Sequence, residues 1–136
     1  MYPEELVTPM KAELTDNGFA DLTTPEAVSD ALKKEGTTLV MVNSVCGCAA
    51  GAARPGVVDS LSGSKKPDHL VTVFAGFDNE AVAEARRHFA PFPPSSPSVA
   101  LFKDGELVHM LERHHIEGNP AGAIAANLQA AYEEYC

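Results

Sequence analysis

The sequence predicts an α/β protein in which a four-stranded mixed sheet is covered by helices on both faces, with an extra helical N-terminus. Short apolar runs rich in β-branched residues alternate with helix-like segments, which is the pattern of strand–helix–strand crossovers in a parallel sheet. Two further apolar runs, at residues 99–102 and 106–111, flank Lys103, Asp104 and Gly105. An Asp-Gly pair between such runs is a strong hairpin signal, so the last two strands should be antiparallel.

Helix boundaries are marked by residues with known capping preferences. A Thr or Asn followed by proline suits the start of a helix, and a glycine suits its end. Thr8, Thr24 and Asn119 are therefore the expected caps, and Pro120 should open the last helix. Pro55 should kink the helix that contains it, because proline cannot donate to the preceding turn. The other helices are predicted at residues 9–17, 25–35, 48–61 and 78–89. The last helix should have an inner apolar stripe of residues four apart, Ile124, Leu128 and Tyr132.

The predicted strands are apolar runs bounded by polar or turn-forming residues. They lie at residues 39–45, 69–75, 99–102 and 106–111. The polar segments 62–68 and 112–118 are expected to be loops. Residues 91–98 contain four prolines, which fix the backbone and remove hydrogen-bond donors, so no regular element is expected there.

Composition and charge narrow the classes of function. With 45% hydrophobic and 21% charged residues, residues 1–136 suit one domain with an ordinary core. The net charge of −9 argues against binding to nucleic acids or to anionic membranes. No apolar run approaches the roughly 18 residues of a membrane span, and acidic residues stand where a secretory signal would be basic. We therefore expect a cytoplasmic protein, and no pattern indicates a particular oligomeric state.

The most informative stretch is residues 39–56, LVMVNSVCGCAAGAARPG, which carries two of the three cysteines. Cys46 and Cys48 fall where the strand gives way to a helix, and the N-terminal end of a helix favours a thiolate over a thiol. A Cys-x-Cys pair can also close as a constrained disulfide, which is easily reduced. Thiol–disulfide exchange is the preferred interpretation. Two buried structural cysteines, or a metal site completed by ligands from elsewhere, are the alternatives.

Two motifs resemble known proteins. The segment PSVALFKDG, residues 97–105, resembles the thioredoxin segment in which a cis-proline precedes a strand, and the order of elements is that of the thioredoxin-like fold. The segment VNSVCGCAAGAARPG resembles the active-site motif of the bacilliredoxin family, whose hallmark is Cys-Gly-Cys. The resemblance to this family extends over nearly the whole chain. The resemblance implies a three-layer thioredoxin-like sandwich. It also implies a bacterial oxidoreductase that removes a small thiol of the bacillithiol type from mixed disulfides on oxidised or S-thiolated proteins.

The resemblance also implies roles for individual residues. Cys46 would attack the mixed disulfide, with the protein-side sulfur as the expected point of attack, release the protein thiol and take on the small thiol. Cys48 would resolve or modulate that adduct. A cis Pro97 would lie against the turn around Gly47, and Ser96 would offer backbone hydrogen bonds to a substrate strand. No cofactor is implied beyond the small thiol as co-substrate.

Other polar residues are weaker candidates. Asn43 and Ser44 would either bind the active-site turn or simply cap the strand. Arg54 would either attract substrate carboxylates or occupy the surface, as most charged residues do. Cys136 should be mobile and exposed, and it is an extra resolving thiol, the site of an intermolecular bridge, or incidental.

For the basic side chains outside the cysteine motif, simple exposure to solvent is an alternative to a functional role. His114 and His115 are candidate acid–base groups or metal ligands, although histidines in polar loops are usually only solvated. Lys65 and Lys66 are expected to lie in a solvated loop.

Three other functions are compatible with these residues. A metal-binding module would combine Cys46 and Cys48 with His114, His115 or Cys136. A redox sensor would oxidise reversibly without turnover. A broader disulfide reductase or isomerase would use the same chemistry on protein disulfides.

Overall fold

The computed structural model describes residues 1–136 and contains a five-stranded mixed sheet with strand order β1-β3-β2-β4-β5. The first three strands of that order are parallel, and β4 and β5 complete the sheet in antiparallel orientation. The strands are β1 (Ala20–Asp21), β2 (Thr37–Asn43), β3 (His69–Phe74), β4 (Ser98–Lys103) and β5 (Glu106–Leu111). The mixed α/β sheet is confirmed, but the count of four strands is wrong. The additional strand, β1, has two exposed residues, too few to show a strand periodicity.

Helices cover both faces of the sheet. A π-helical turn, Ala49–Ala53, runs directly into the third helix. The helices are α1 (Glu4–Thr15), α2 (Pro25–Leu32), α3 (Arg54–Ser60), α4 (Asn79–Arg87), α5 (Arg113–Ile116) and α6 (Ala121–Tyr135). None of them combines the length and apolar character needed to cross a membrane.

The central strand β2 divides the core into two layers. Its alternating side chains point to opposite faces: Leu39 and Met41 pack with residues of α1, α3 and α6. Val40 and Val42 pack with residues of α2 and α4 on the other face. All seven residues of β2 are buried. The strand is thus fixed on both sides, and the segment that follows it starts from a rigid support.

The layer formed by α3 and α6 depends on a close helix approach at Gly56. A Cβ atom at this position would lie 2.9 Å from the Ala121 carbonyl oxygen and 2.9 Å from Ile124 Cβ. Glycine is therefore required for this packing. The three aliphatic and aromatic positions expected to form the inner stripe of α6 are all buried: Ile124, Leu128 and Tyr132.

The start of α1 differs from the prediction. The helix begins at Glu4, so Pro9 lies inside it and Thr8 does not cap it. The Thr8 hydroxyl instead donates to the Glu4 carbonyl oxygen at 2.9 Å. Both Thr8 and Pro9 are exposed, so water can satisfy the carbonyl group that the proline leaves without a partner. By contrast, Thr24 does cap α2, accepting from the Ala27 N–H at 3.2 Å.

The boundaries around β2 also shift. The strand ends at Asn43 rather than at residue 45, because the Asn43 side chain accepts the Ser44 N–H at 2.9 Å and turns the chain. The helix predicted at residues 48–61 is divided between the π-helical turn and α3, and Pro55 lies in the first turn of α3. The π-helical turn, which is wider than an α-helical turn, therefore directly precedes the first turn of α3, where Pro55 has no backbone N–H to donate.

The C-terminal part confirms the hairpin and corrects two details. Asp104 and Gly105 have φ values of 50° and 83°, as a tight hairpin turn requires. Residues 112–118 are not all loop, because α5 forms there around the buried Ile116. Asn119 does not cap α6, since its side chain donates to the His115 carbonyl oxygen at 2.8 Å.

Candidate active site

The Cys-Gly-Cys segment lies beyond the carboxyl end of β2, where the chain enters the π-helical turn. The Cys46 carbonyl accepts from the Ala49 and Ala50 N–H groups at 3.0 and 3.2 Å, which starts the helical segment at Cys46. The two sulfur atoms are 2.7 Å apart and both cysteines are unbridged. Gly47 is exposed between them, with no atom within 4 Å of where a Cβ would be. The space beside Gly47 is therefore open, and both neighbouring cysteines are half-buried.

Several donors converge on Cys46. Its sulfur accepts from the Cys48 backbone N–H at 3.4 Å and from Arg113 Nη2 at 3.2 Å. Its own N–H donates to Ser44 Oγ at 3.3 Å, which fixes the turn. These contacts place hydrogen-bond donors and a positive charge around a sulfur at the protein surface, and such surroundings stabilise a thiolate.

The two cysteines consequently differ in acidity. The hydrogen bond from the Cys48 thiol lowers the pKa of Cys46, and the Cys48 N–H and the Arg113 charge act in the same direction against partial burial. Burial raises the pKa of Cys48, and its hydrogen bond with Cys46 and the neighbouring negative charge raise it further. The directions of these pKa shifts favour Cys46 over Cys48 as the thiolate of the pair.

Arg113, in α5, is the site residue that sequence reasoning missed. Besides its contact with Cys46, its Nη1 donates to the Ser96 carbonyl oxygen at 3.2 Å, and its Nε pairs with Glu117. Its side chain is 45% exposed. It is 67 residues from Cys46 in sequence, in a segment predicted as loop. The available indicator of helix was the i, i+3 spacing of Glu112 and His115, where His115 Nδ1 accepts the Glu112 N–H at 3.0 Å.

The segment around Pro97 also lies near the carboxyl end of β2, because β4 pairs with β2 in the sheet. The Ser96–Pro97 peptide bond is cis, the isomer that the resemblance implied. Ser98 pairs with Val42 in the antiparallel ladder, so Pro97 lies beside the carboxyl end of β2. Pro97 is buried and Ser96 is half-buried, with its carbonyl held by Arg113.

Asn43 and Arg54 form a buried scaffold beneath the cysteines. Asn43 Oδ1 accepts from Arg54 Nη1 at 3.0 Å, and its Nδ2 donates to the Met10 carbonyl oxygen at 3.2 Å. Arg54 Nη1 also donates to the Ser44 carbonyl oxygen at 2.8 Å, and its Nε lies 3.1 Å from a carboxylate oxygen of Glu13. Arg54 is 2% exposed, so the expected surface position is wrong. A buried guanidinium requires such partners, and they tie α3 to the end of β2.

The histidines form a separate cluster. Ligand atoms of Glu112, His114 and His115 all lie within 4.8 Å of one another. His114 Nε2 is 3.0 Å from Glu112 Oε2, and both histidines are exposed beside a cleft of about 550 Å³ between β5, α5 and α6. Neither Cys46 nor Cys48 belongs to this group.

The remaining candidates lie away from the cysteine pair. Cys136 is exposed, as expected, but its sulfur donates to Thr37 Oγ1 at 3.6 Å, at the opposite end of β2. The proposed metal site combining it with Cys46 and Cys48 is therefore not assembled. Lys65 and Lys66 are exposed in the loop after α3, as predicted.

Comparison with known proteins gives a consistent result. The chain matches the family described as disulphide isomerase over residues 2–136. It is 63% identical to a bacilliredoxin of Cytophaga hutchinsonii over 98% of this chain and 99% of that protein. It is 56% identical to a bacilliredoxin of Halalkalibacterium halodurans, covering 99% of this chain and 94% of that protein.

Solved structures agree on the fold. Mitochondrial thioredoxin 3 of Saccharomyces cerevisiae, in its oxidised form, superimposes with a TM-score of 0.61 at 15% identity, covering 90% of this chain and 98% of that one. A thioredoxin of Schistosoma mansoni gives a TM-score of 0.58 at 16% identity, covering 88% and 97%. The sheet order, the cysteine pair after β2 and the extent of these matches lead to one conclusion: the chain belongs to the bacilliredoxin family and is a thiol–disulfide oxidoreductase of thioredoxin-like fold.

Proposed function

We propose that this protein removes a low-molecular-weight thiol of the bacillithiol type from S-thiolated proteins, with Cys46 as the nucleophile. The observation that supports this most directly is the asymmetry of the cysteine pair. Cys46 accepts hydrogen bonds from Cys48 and from Arg113, and its pKa is lowered, whereas the pKa of Cys48 is raised. The thiolate is the attacking species in disulfide exchange, so Cys46 would be the nucleophile and Cys48 a second thiol available for a later step.

The first step is a thiol–disulfide exchange, which needs no external oxidant or reductant. The Cys46 thiolate attacks the sulfur that belongs to the small thiol, because only this attack leaves the small thiol on Cys46. The expectation of attack at the protein-side sulfur is therefore wrong, since it would leave the substrate protein on Cys46. The bond between that sulfur and the protein sulfur breaks. The substrate protein departs as a thiolate and takes a proton from solvent.

The second step removes the small thiol from Cys46. A second small thiol can attack the adduct and leave as a symmetrical disulfide, which restores the Cys46 thiolate. Alternatively, Cys48 loses its proton and attacks Cys46, expelling the small thiol and forming an intramolecular disulfide. That disulfide then needs two electrons from an external thiol reductant.

The surrounding residues have supporting roles in this proposal. Gly47 keeps the approach to the sulfurs open, and Ser96 with Pro97 forms the edge along which an extended substrate segment would lie. Asn43 and Arg54 are buried, so they act by holding Ser44 and the turn rather than by touching the substrate. A cytoplasmic location is consistent with a chemistry that depends on reduced thiols.

A second activity is isomerisation or reduction of protein disulfides, favoured by the description of the matching family as disulphide isomerase. The same Cys46 thiolate would attack a protein sulfur and form a protein–protein mixed disulfide. The two activities differ in which sulfur is attacked and therefore in what remains on Cys46.

Intact-mass spectrometry separates these outcomes. The reduced protein, Cys46→Ser and Cys48→Ser are each mixed with a test protein carrying a bacillithiol mixed disulfide. Our proposal predicts the mass of the small thiol on Cys48→Ser, located at Cys46, and none on Cys46→Ser. The wild type should carry either that adduct or, after attack by Cys48, a Cys46–Cys48 disulfide with a mass lower by two hydrogens. A covalent complex with the test protein instead would favour the isomerase activity. Transfer to Cys46→Ser at the wild-type rate would contradict the assignment of Cys46 as nucleophile.

A further inference from the structure

We propose that Arg113 anchors a carboxylate of the small thiol once that thiol is bound to Cys46, so that the enzyme prefers small thiols bearing a carboxylate. This inference rests on the proposed function, because it concerns the adduct formed in its first step. It assigns a specificity role to a residue of α5, outside the cysteine motif and the proline segment.

The first support is the arrangement of partners around the guanidinium. Nε pairs with Glu117, Nη1 donates to the Ser96 carbonyl oxygen and Nη2 donates to Cys46 Sγ. Glu117 and Ser96 hold the plane of the guanidinium from two sides. Nη2 is therefore the nitrogen that faces the reacting sulfur, and its N–H groups can donate to a carboxylate.

The second support is the change of charge during the reaction. In the reduced protein the Cys46 thiolate is the anionic partner of Nη2 at 3.2 Å. When Cys46 forms a mixed disulfide, its sulfur becomes neutral and only a weak acceptor. Arg113 then has an unpaired Nη2 directed at the new bond. A carboxylate a few bonds away on the incoming thiol restores the lost ion pair.

The third support is that the Arg113 side chain is accessible to solvent in a protein whose net charge is negative. The Arg113 side chain is 45% exposed, whereas Arg54, the other arginine near the cysteines, is 2% exposed. The net charge of −9 repels an anionic substrate in general, so a local cation beside the sulfur is needed to favour one. Arg113 provides that charge within contact distance of the nucleophile.

The test compares two small thiols that differ only in charge. A test protein is prepared as its mixed disulfide with 3-mercaptopropionate or with 3-mercaptopropionamide, which has the same length and a neutral amide. Rates of transfer to Cys46 are measured for the wild type, Arg113→Ala and Arg113→Lys. Rates with free dithiothreitol normalise the intrinsic reactivity of each disulfide. Lys66→Ala is the control, since it also removes one positive charge from an exposed position.

We expect the wild type and Lys66→Ala to prefer the carboxylate substrate by roughly 5- to 10-fold, as for one charge-assisted hydrogen-bonded pair at the surface. Arg113→Ala should bring the ratio close to 1, and Arg113→Lys should give an intermediate ratio because it keeps the charge without the planar fork. A loss of thiolate stabilisation alone slows both substrates equally and leaves the ratio unchanged. The ratio therefore reports the anchor separately from the acidity of Cys46.

Two results would overturn the inference, and they are distinguishable. If the wild type transfers both thiols with equal normalised rates, or if Arg113→Ala keeps the wild-type ratio, then Arg113 is not the anchor although the proposed function stands. If the wild type takes up neither thiol despite having free Cys46, then the proposed function and the anchor both fail.

Discussion

A cysteine lies near each end of β2, and the surroundings of the two cysteines differ in almost every respect. At the carboxyl end, Cys46 meets a second thiol, a backbone N–H and a guanidinium. At the amino end, Cys136 makes one long contact to a threonine hydroxyl. The ends are roughly 20 Å apart, since seven residues of strand rise about 3.3 Å each. From this comparison we expect reactivity to depend on the donors gathered at the carboxyl end of the strand, and not on the presence of a thiol alone.

The largest expected effect separates the two cysteines directly. Cys46→Ser should lower the rate of small-thiol transfer by at least about 100-fold, because it removes the nucleophile. Cys136→Ser should leave the rate within about twofold, since Cys136 is at the other end of the sheet. Single-turnover rates with an S-thiolated test protein measure both. A comparable loss in Cys136→Ser would show that the distant thiol takes part.

The next prediction concerns the scaffold beneath the reactive end. Arg54→Met should lower the free energy of unfolding by about 2–4 kcal/mol, because the buried Asn43 side chain and Ser44 carbonyl lose a charged donor. Urea unfolding monitored by circular dichroism measures the loss.

The matched control for Arg54 is Arg87→Met. The Arg87 side chain is 77% exposed, and its ion pair with Glu84 lies one turn away on the same helix. This change should alter the free energy of unfolding by no more than about 0.5 kcal/mol. Equal losses in the two variants would mean that the buried guanidinium does not hold the end of β2.

A smaller expected effect concerns the difference in pKa between Cys46 and Cys48. Cys48→Ala removes the donor that contributes most to the lowered pKa of Cys46, so that pKa should rise. Alkylation of Cys46 near neutral pH should then slow several-fold. Cys48→Ser is the control, because its hydroxyl can still donate to the sulfur, and it should stay closer to the wild type. Equal alkylation rates in Cys48→Ala and the wild type would rule out the thiol as an important donor.

The reactive end of β2 could largely be predicted from the sequence, because its signals are local. A buried apolar run followed by Cys-Gly-Cys and small residues indicates a strand-to-helix junction with two thiols. The Asp-Gly hairpin and the inner stripe of α6 are likewise local patterns, and the structure confirms them. The number of strands differs from the prediction only by β1, which is too short for a periodicity to show.

What the sequence could not show are contacts between distant segments. Arg113 reaches Cys46 across 67 positions, from a helix of four residues that carries almost no pattern of its own. Arg54 is a charged residue after a run of small residues, and it is buried because Asn43, Ser44 and Glu13 surround it in three dimensions. Such residues are assigned correctly only when their partners are known.

The most direct test of the central claim is the pH dependence of alkylation at each cysteine of the reduced wild-type protein. Limiting iodoacetamide is added at a series of pH values, and the labelled peptides are quantified by mass spectrometry. Because the pKa of Cys46 is lowered and that of Cys48 is raised, Cys46 should stay reactive on acidification to a pH at which Cys48 no longer reacts. Labelling of Cys48 before Cys46 at low pH, or a single midpoint for both, would contradict the assignment of Cys46 as the thiolate of the pair.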